Sequence, residues 1–376
     1  MTGAKTPTGF LRATPPPLDI LGGSVREALR SIEAACDDRA ELFRQHRFDG
    51  TSDDKTLAAQ WVSQRLGHEP PPERVIVTNG TMNSLLLLQA TLLGPRGLLA
   101  TEAYTFPQVK VIASLLNVDT VGVAMDEHGL RADSLDEMCR SPRKPAALYC
   151  NPSIQSPTAT IMPGFRRREI AEVARRHRLI IIEDEAQALY ADDLAPPIAT
   201  LVPELGWYLM GLSKYLSLGI RTAFMVAPSP AAAQVLLSRV RTISTWHPAP
   251  LVASLAMEWI RNGTAHAIVQ ANREELRARQ QLVRKVFQDI QGCRSSHGLH
   301  FWLPAPHNSN ASQLERAAFE AGVPVRASDL YAVDSGPATL QGVRPAIGDP
   351  PSREQLAQGL RALRNVYEEL ADECRR

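Results

Sequence analysis

An acid, an amine and a guanidinium follow one another in this sequence at positions where they can act together. Asp184 closes the apolar run in IIEDEAQALY, and open α/β sheets hold their ligands at the carboxyl ends of such strands. Lys214 lies just past the next apolar run, in WYLMGLSKYLSLGIRTAFMVAP, and Arg221 follows it. The three would converge above one sheet edge. Taken singly, each has an ordinary use: a strand-end Asp caps a helix, a loop Lys is solvated, and an Arg makes a surface ion pair. In combination they offer a carboxylate for a cation, an amine that can condense with a carbonyl, and a charge for an anion. NGT, at the start of another apolar segment, offers backbone N–H groups at a helix N-terminus, either an anion site or an ordinary Thr-capped strand-to-helix turn. Near the C-terminus, GVRPAIGDPPSREQL presents a further guanidinium, Arg344.

These residues need a sheet to bring them together, and the patterning from Glu73 onward supplies one. Short β-branched runs alternate with amphipathic segments, which predicts βα units and a mostly parallel sheet. The expected strands are 75–78, 97–101, 120–124, 146–150, 179–183, 207–210 and 222–226, with helices over 82–93, 107–116 and 166–176. The fold class is therefore α/β, a seven-stranded large domain with a smaller α+β domain. Residues 1–45 read as a Pro-rich arm and a helix starting near Ser24, 46–270 as the large domain, and 271–376 as the small one, with strands near 300–303 and 342–346. A helix over 55–66 shows no obvious chemistry. Alternation turns Glu183 and Glu185 away from the face that Asp184 addresses.

Composition narrows the partners. With 41 basic and 40 acidic residues, and no long block of one sign, nothing here tracks a phosphate backbone, so no nucleic acid is expected. The most apolar stretch, LLLLQATLLGPRGLLA, is broken by Gly-Pro-Arg before it could span a bilayer, and no export signal is evident. The cysteines Cys36, Cys139, Cys150, Cys293 and Cys374 are scattered without metal-ligand or redox spacing. They are expected reduced, in the cytoplasm, with no metal site.

Five motifs in order, VIVTNGTMNSLLLL, TEAYTFP, NPSIQSPTATIMPGFRR, IIEDEAQALY and GLSKYLSLGIR, resemble those of fold-type I aminotransferases of class I/II. Within that group the chain is most similar to the aminotransferase-like domain of MocR-type regulators. The resemblance spans Glu73 to the C-terminus and implies pyridoxal 5'-phosphate (PLP) as cofactor. It makes Lys214 the Schiff-base lysine and proton shuttle, and Asp184 the partner of the pyridine nitrogen. Gly80, Thr81 and Met82 match the phosphate loop, Arg221 the phosphate arginine, and Ser213 an added hydroxyl. Phe106 matches the ring-stacking aromatic, with Tyr104 as fallback, and Arg344 the substrate-carboxylate arginine. A homodimer is implied as well.

Departures from the pattern bear on the reaction. Ser156-Pro157-Thr158-Ala159 replaces a common Asn-Pro-Thr-Gly, which removes the usual Asn partner of the ring hydroxyl and leaves Asn151 or Gln155 to compensate. Gln187 stands where many relatives carry Tyr, and Gly211 where they carry Ser or Thr. The resemblance implies transfer of an amino group from an amino acid to a 2-oxo acid. A PLP lyase or cyclase is the alternative that the departures suggest. A non-catalytic PLP- and effector-binding module is the other, although the chain ahead of Val75 is short for a winged-helix domain and shows no basic recognition helix.

Overall fold

The computed structural model describes residues 9–35, 44, 47–242, 248–333 and 340–373. The central sheet takes β1 (Val75–Thr78), β2 (Leu98–Glu102) and β3 (Asp119–Val123). After a hairpin of β4 (Met125–Asp126) and β5 (Gly129–Leu130), it resumes with β6 (Ala147–Cys150), β7 (Ile180–Asp184), β8 (Gly206–Gly211) and β9 (Ala223–Val226). All seven expected strands are there, shifted by no more than one residue at their ends. Their order is β1-β9-β8-β7-β6-β2-β3. β9 runs antiparallel to both β1 and β8, while the remaining pairings are parallel. Six strands therefore point one way. The chain leaves β1, β2, β6, β7 and β8 at the same edge at which it enters β9.

Alternation along the strands sorts the core into two faces. Ile76, Leu99, Tyr149, Ile182, Leu209 and Met225 pack on one side beneath helices Thr81–Leu92, Pro107–Leu115 and Pro230–Val240. On the other side, Leu148 and Ile181 meet helices Ala132–Arg140 and Gly164–His177, and Val77, Met210 and Phe224 meet helices Ser52–Leu66 and Pro250–Arg261. Helix Ser52–Leu66 is closed at both ends: Thr51 and Asp54 form a capping box, and Gly67 takes the left-handed conformation at φ 73°.

A second sheet, ordered β10 (Arg294–Ser295), β11 (Phe301–Pro304), β13 (Gly342–Arg344) and β12 (Arg326–Ala327), is antiparallel throughout. Helices Ala311–Glu320 and Arg353–Glu373 cover it, and the 24-residue helix Thr264–Phe287 leads into it. The first helix begins at Ile20, ahead of the expected Ser24, and is described to Ala34. Its expected continuation to Arg44 falls mostly outside the described residues, as do Cys36 and Cys374. From residue 9 the arm runs without regular structure: Phe10 is fully buried, and its carbonyl accepts from Ala346 N at 2.8 Å. Among the described residues no helix is long and apolar enough to cross a membrane.

Candidate active site

A cavity of about 250 Å³ opens at the edge where the parallel strands end. The motif residues reach it because each follows a strand. Asn79 and Gly80 leave β1, Phe106 follows β2, Asn151 follows β6, Asp184 ends β7, Ser213 and Lys214 follow β8, and Arg221 precedes β9. Arg344 arrives from β13 of the second sheet. Thr81, Met82 and Gln187 complete the expected residues that line it.

Asp184 is the most constrained of them. Tyr149 Oη donates to its Oδ2 at 3.0 Å, and Asn151 Nδ2 donates to its main-chain oxygen at 2.6 Å. Oδ1 is buried with no hydrogen-bond partner. Burial pushes the carboxyl pKa up to about 6, against the opposing pull of the Tyr149 hydroxyl and the Lys214 charge. Glu183 and Glu185, on the opposite face as alternation requires, form a buried ion network. Arg65 grips Glu185 with two bonds of 2.8 Å, and the fully buried Arg167 lies 3.4 Å from Glu183 and 3.5 Å from Glu185. Helix Ser52–Leu66 thereby pins the strand end that presents Asp184, a role that the sequence did not reveal.

Lys214 is held by its neighbours. Its main-chain carbonyl accepts from the Tyr190 hydroxyl, and its Nζ donates to Ala13 O at 2.9 Å. Burial, with Arg344 and Arg221 nearby, brings the amine down to about 8, while Asp184 opposes that shift. Arg344 donates from Nη2 to Leu11 O at 2.5 Å and lies over the Tyr331 ring, and its Nε is buried without a partner. Two carbonyls of the arm thus touch the two cations.

One side of the cavity is a helix start. Gly80, with φ 87°, opens helix Thr81–Leu92, and no side chain caps it, so the first-turn N–H groups face the cavity mouth. Gly211 is fitted to this helix, because a Cβ there would lie 2.3 Å from Thr81 Oγ1. Thr81 Oγ1 thus occupies the space that a side chain at residue 211 would need. Ser213 also lines the cavity, and its hydroxyl donates to Ile220 O at 2.7 Å.

Two further expectations are revised. Gln155 does not line the cavity: its Nε2 donates to Tyr104 O at 2.6 Å and its Oε1 accepts from Thr158. The segment folds back, Gln155 N bonding to Thr160 O, and this carries the amide away. Tyr104, the fallback for Phe106, also faces elsewhere and accepts at its hydroxyl from Leu340 N. Tyr149, Ala13 and Gln108 line the cavity unforeseen. Only Tyr149 carried a signal, a polar tip in a strand that is otherwise apolar.

A sequence model described as aminotransferase class I and II matches residues 22–340. The 2-aminoadipate transaminase of Thermus thermophilus is 26% identical, over 96% of this chain and 93% of its own length. The HTH-type transcriptional regulator YdeF of Bacillus subtilis is 27% identical, over 83% of this chain and 67% of the regulator. Among solved structures, the α-aminoadipate aminotransferase LysN of Thermus thermophilus, complexed with N-(5'-phosphopyridoxyl)-L-leucine, superposes with a TM-score of 0.84. It is 23% identical and covers 98% of this chain and 94% of that one.

Proposed function

Because the chain belongs to the aminotransferase class I and II family, whose members use PLP, we propose that this cavity holds the cofactor on Lys214 and exchanges an amino group between an amino acid and a 2-oxo acid. One observation carries the reading: a lysine whose amine is brought down to about 8 shares a cavity with a buried carboxylate whose Oδ1 has no partner. The residues fit the group. Asp184 Oδ1 awaits a donor such as a protonated ring nitrogen, and the uncapped helix start with Arg221 suits a phosphate.

Bound there, the cofactor supplies an aldehyde for the amine and an electron-withdrawing ring. Lys214 would hold the cofactor through its amine, and that amine, once free, would carry the proton taken from the substrate Cα. Asp184, oriented by Tyr149, would stay ionised and accept from the protonated ring nitrogen. Phe106, Asn151 and Gln187 would help hold the ring, and Arg344 would fix the substrate carboxylate with its Nε and Nη2 edge, giving up Leu11 O to do so.

The chain is assigned to homodimers, supported by the exposed Met82 and Leu86, one helical turn apart beside the cavity. It is assigned to the cytoplasm, supported by the unpaired Cys139, Cys150 and Cys293. Residues 46–270 form the large domain and 271–376 the small one. Absorbance titration of the PLP-loaded protein with a panel of amino acids, followed by addition of 2-oxo acids, tests the reaction. Conversion that requires a 2-oxo acid acceptor supports transamination. Turnover without an acceptor identifies a lyase or cyclase, and none with any substrate leaves a binding module.

A further inference from the structure

Gln187 follows β7 by three residues, and the loop entering β11 commits both ends of its amide. Leu299 N donates to Gln187 Oε1 at 2.8 Å, and Gln187 Nε2 lies 3.4 Å from His300 Nδ1. The His300 ring is fully buried, with Nε2 at 3.1 Å from the Gln155 carbonyl oxygen. A carbonyl only accepts, so Nε2 carries the ring proton, and in a neutral imidazole Nδ1 is then a bare acceptor. Burial, with the charges of Arg344 and Lys214 nearby, keeps the ring neutral by pushing its pKa down to about 3. The amide cannot flip without setting its NH₂ against the Leu299 N–H.

The loop is itself fixed. Gln280 Nε2 donates to Gly298 O at 2.7 Å and His300 O at 3.1 Å, and a Cβ at Gly298 would lie 2.7 Å from Gln187 Oε1. One Nε2 hydrogen of Gln187 is thus spent on His300, and the other is left for the cavity that this side chain lines.

We propose that His300 is a positioning residue: by accepting one amide hydrogen from Gln187 it aims the other at the ring oxygen of the bound cofactor. The proposal rests on the cofactor assignment above. It accounts for a glutamine at a position where a phenol is common, because an amide needs a second partner to fix which of its ends faces the ligand. A donor on the ring oxygen stabilises negative charge there and so lowers the pH at which the linkage to Lys214 loses its proton.

Two amide substitutions separate the ring nitrogens. His300→Asn keeps an acceptor at the Nδ1 position, whereas His300→Gln keeps a donor at the Nε2 position and loses that acceptor. The readouts are the pH midpoint of the visible absorption band of PLP-loaded protein and the dissociation constant for PLP. His300→Gln and Gln187→Leu should each raise the midpoint by about one unit, roughly tenfold in the proton equilibrium, and weaken PLP binding by a comparable factor. The double variant should shift no further than either single one, since both act through one bond. His300→Asn should stay close to wild type in both readouts. If His300→Gln matches wild type while wild type binds PLP, the positioning role is wrong and the cofactor assignment stands. A wild-type protein that binds no PLP would overturn both.

Discussion

Asp184 imposes a cost on the empty protein that its function explains. Its carboxyl is raised from an ordinary 3.8 to about 6 in the folded chain, so the unfolded chain gives up its proton first as pH rises. Between about pH 4 and 6 the folded state therefore binds more protons, and stability falls as pH climbs through that window, with the full cost present above it. Cofactor-free Asp184→Asn should thus melt higher than cofactor-free wild type at pH 8, by an equivalent of roughly 1–3 kcal/mol, with the gap closing near pH 4. The same variant should keep covalently bound PLP yet lose most turnover. Equal melting of the two proteins at both pH values would show that Asp184 Oδ1 is not a strained, waiting acceptor. Asp184, Lys214 and Arg221 were legible in the sequence because each directly abuts an apolar run. Gln155 was misread because its amide is taken by Tyr104 O and Thr158 within a fold-back, closed by its main-chain bond to Thr160, that no periodicity announces. Tyr149 showed in the sequence only as a polar tip in an apolar strand, and its pairing opposite Ile182 is what brings its hydroxyl within reach of Asp184.

At the scale of elements, the junction of β8 with helix Thr81–Leu92 is a fitted pair. Gly211 leaves room for Thr81 Oγ1, and any side chain at 211 must displace it. Gly211→Ser should weaken PLP binding by about tenfold or more, the effect of losing one hydrogen bond to a charged group. Thr81→Ala in that background should restore much of the loss, because the new serine hydroxyl then takes the vacated place. PLP titration of the two single variants and the double variant checks this, and simple additivity of the two losses would refute the exchange. The strands themselves were legible from β-branched runs between turn residues. Arg65 was not, because its helix shows no sign of chemistry and its partner Glu185 lies just past the end of a distant strand. Removing it would leave Glu185 buried beside Arg167 with half its pairing gone, a loss of the kind that costs about 3–5 kcal/mol.

Over the whole molecule, the site depends on one topological fact that the sequence pattern did not carry. β9 runs against its neighbours, so the loop from β8 to β9 begins and ends at the active edge and delivers both Lys214 and Arg221 there. Hydrophobic periodicity reports that a strand exists but not its direction. The arm is a similar case: its prolines excluded helix and central strand, while the contacts of Leu11 and Ala13 with Arg344 and Lys214 emerged only in three dimensions. All of this converges on a single amine. Borohydride reduction of the PLP-loaded protein, followed by mass mapping of its peptides, locates the cofactor directly. The account predicts the phosphopyridoxyl mass on the peptide containing Lys214 and its loss in Lys214→Ala. The same mass on the peptide of Lys110 or Lys285 would contradict it.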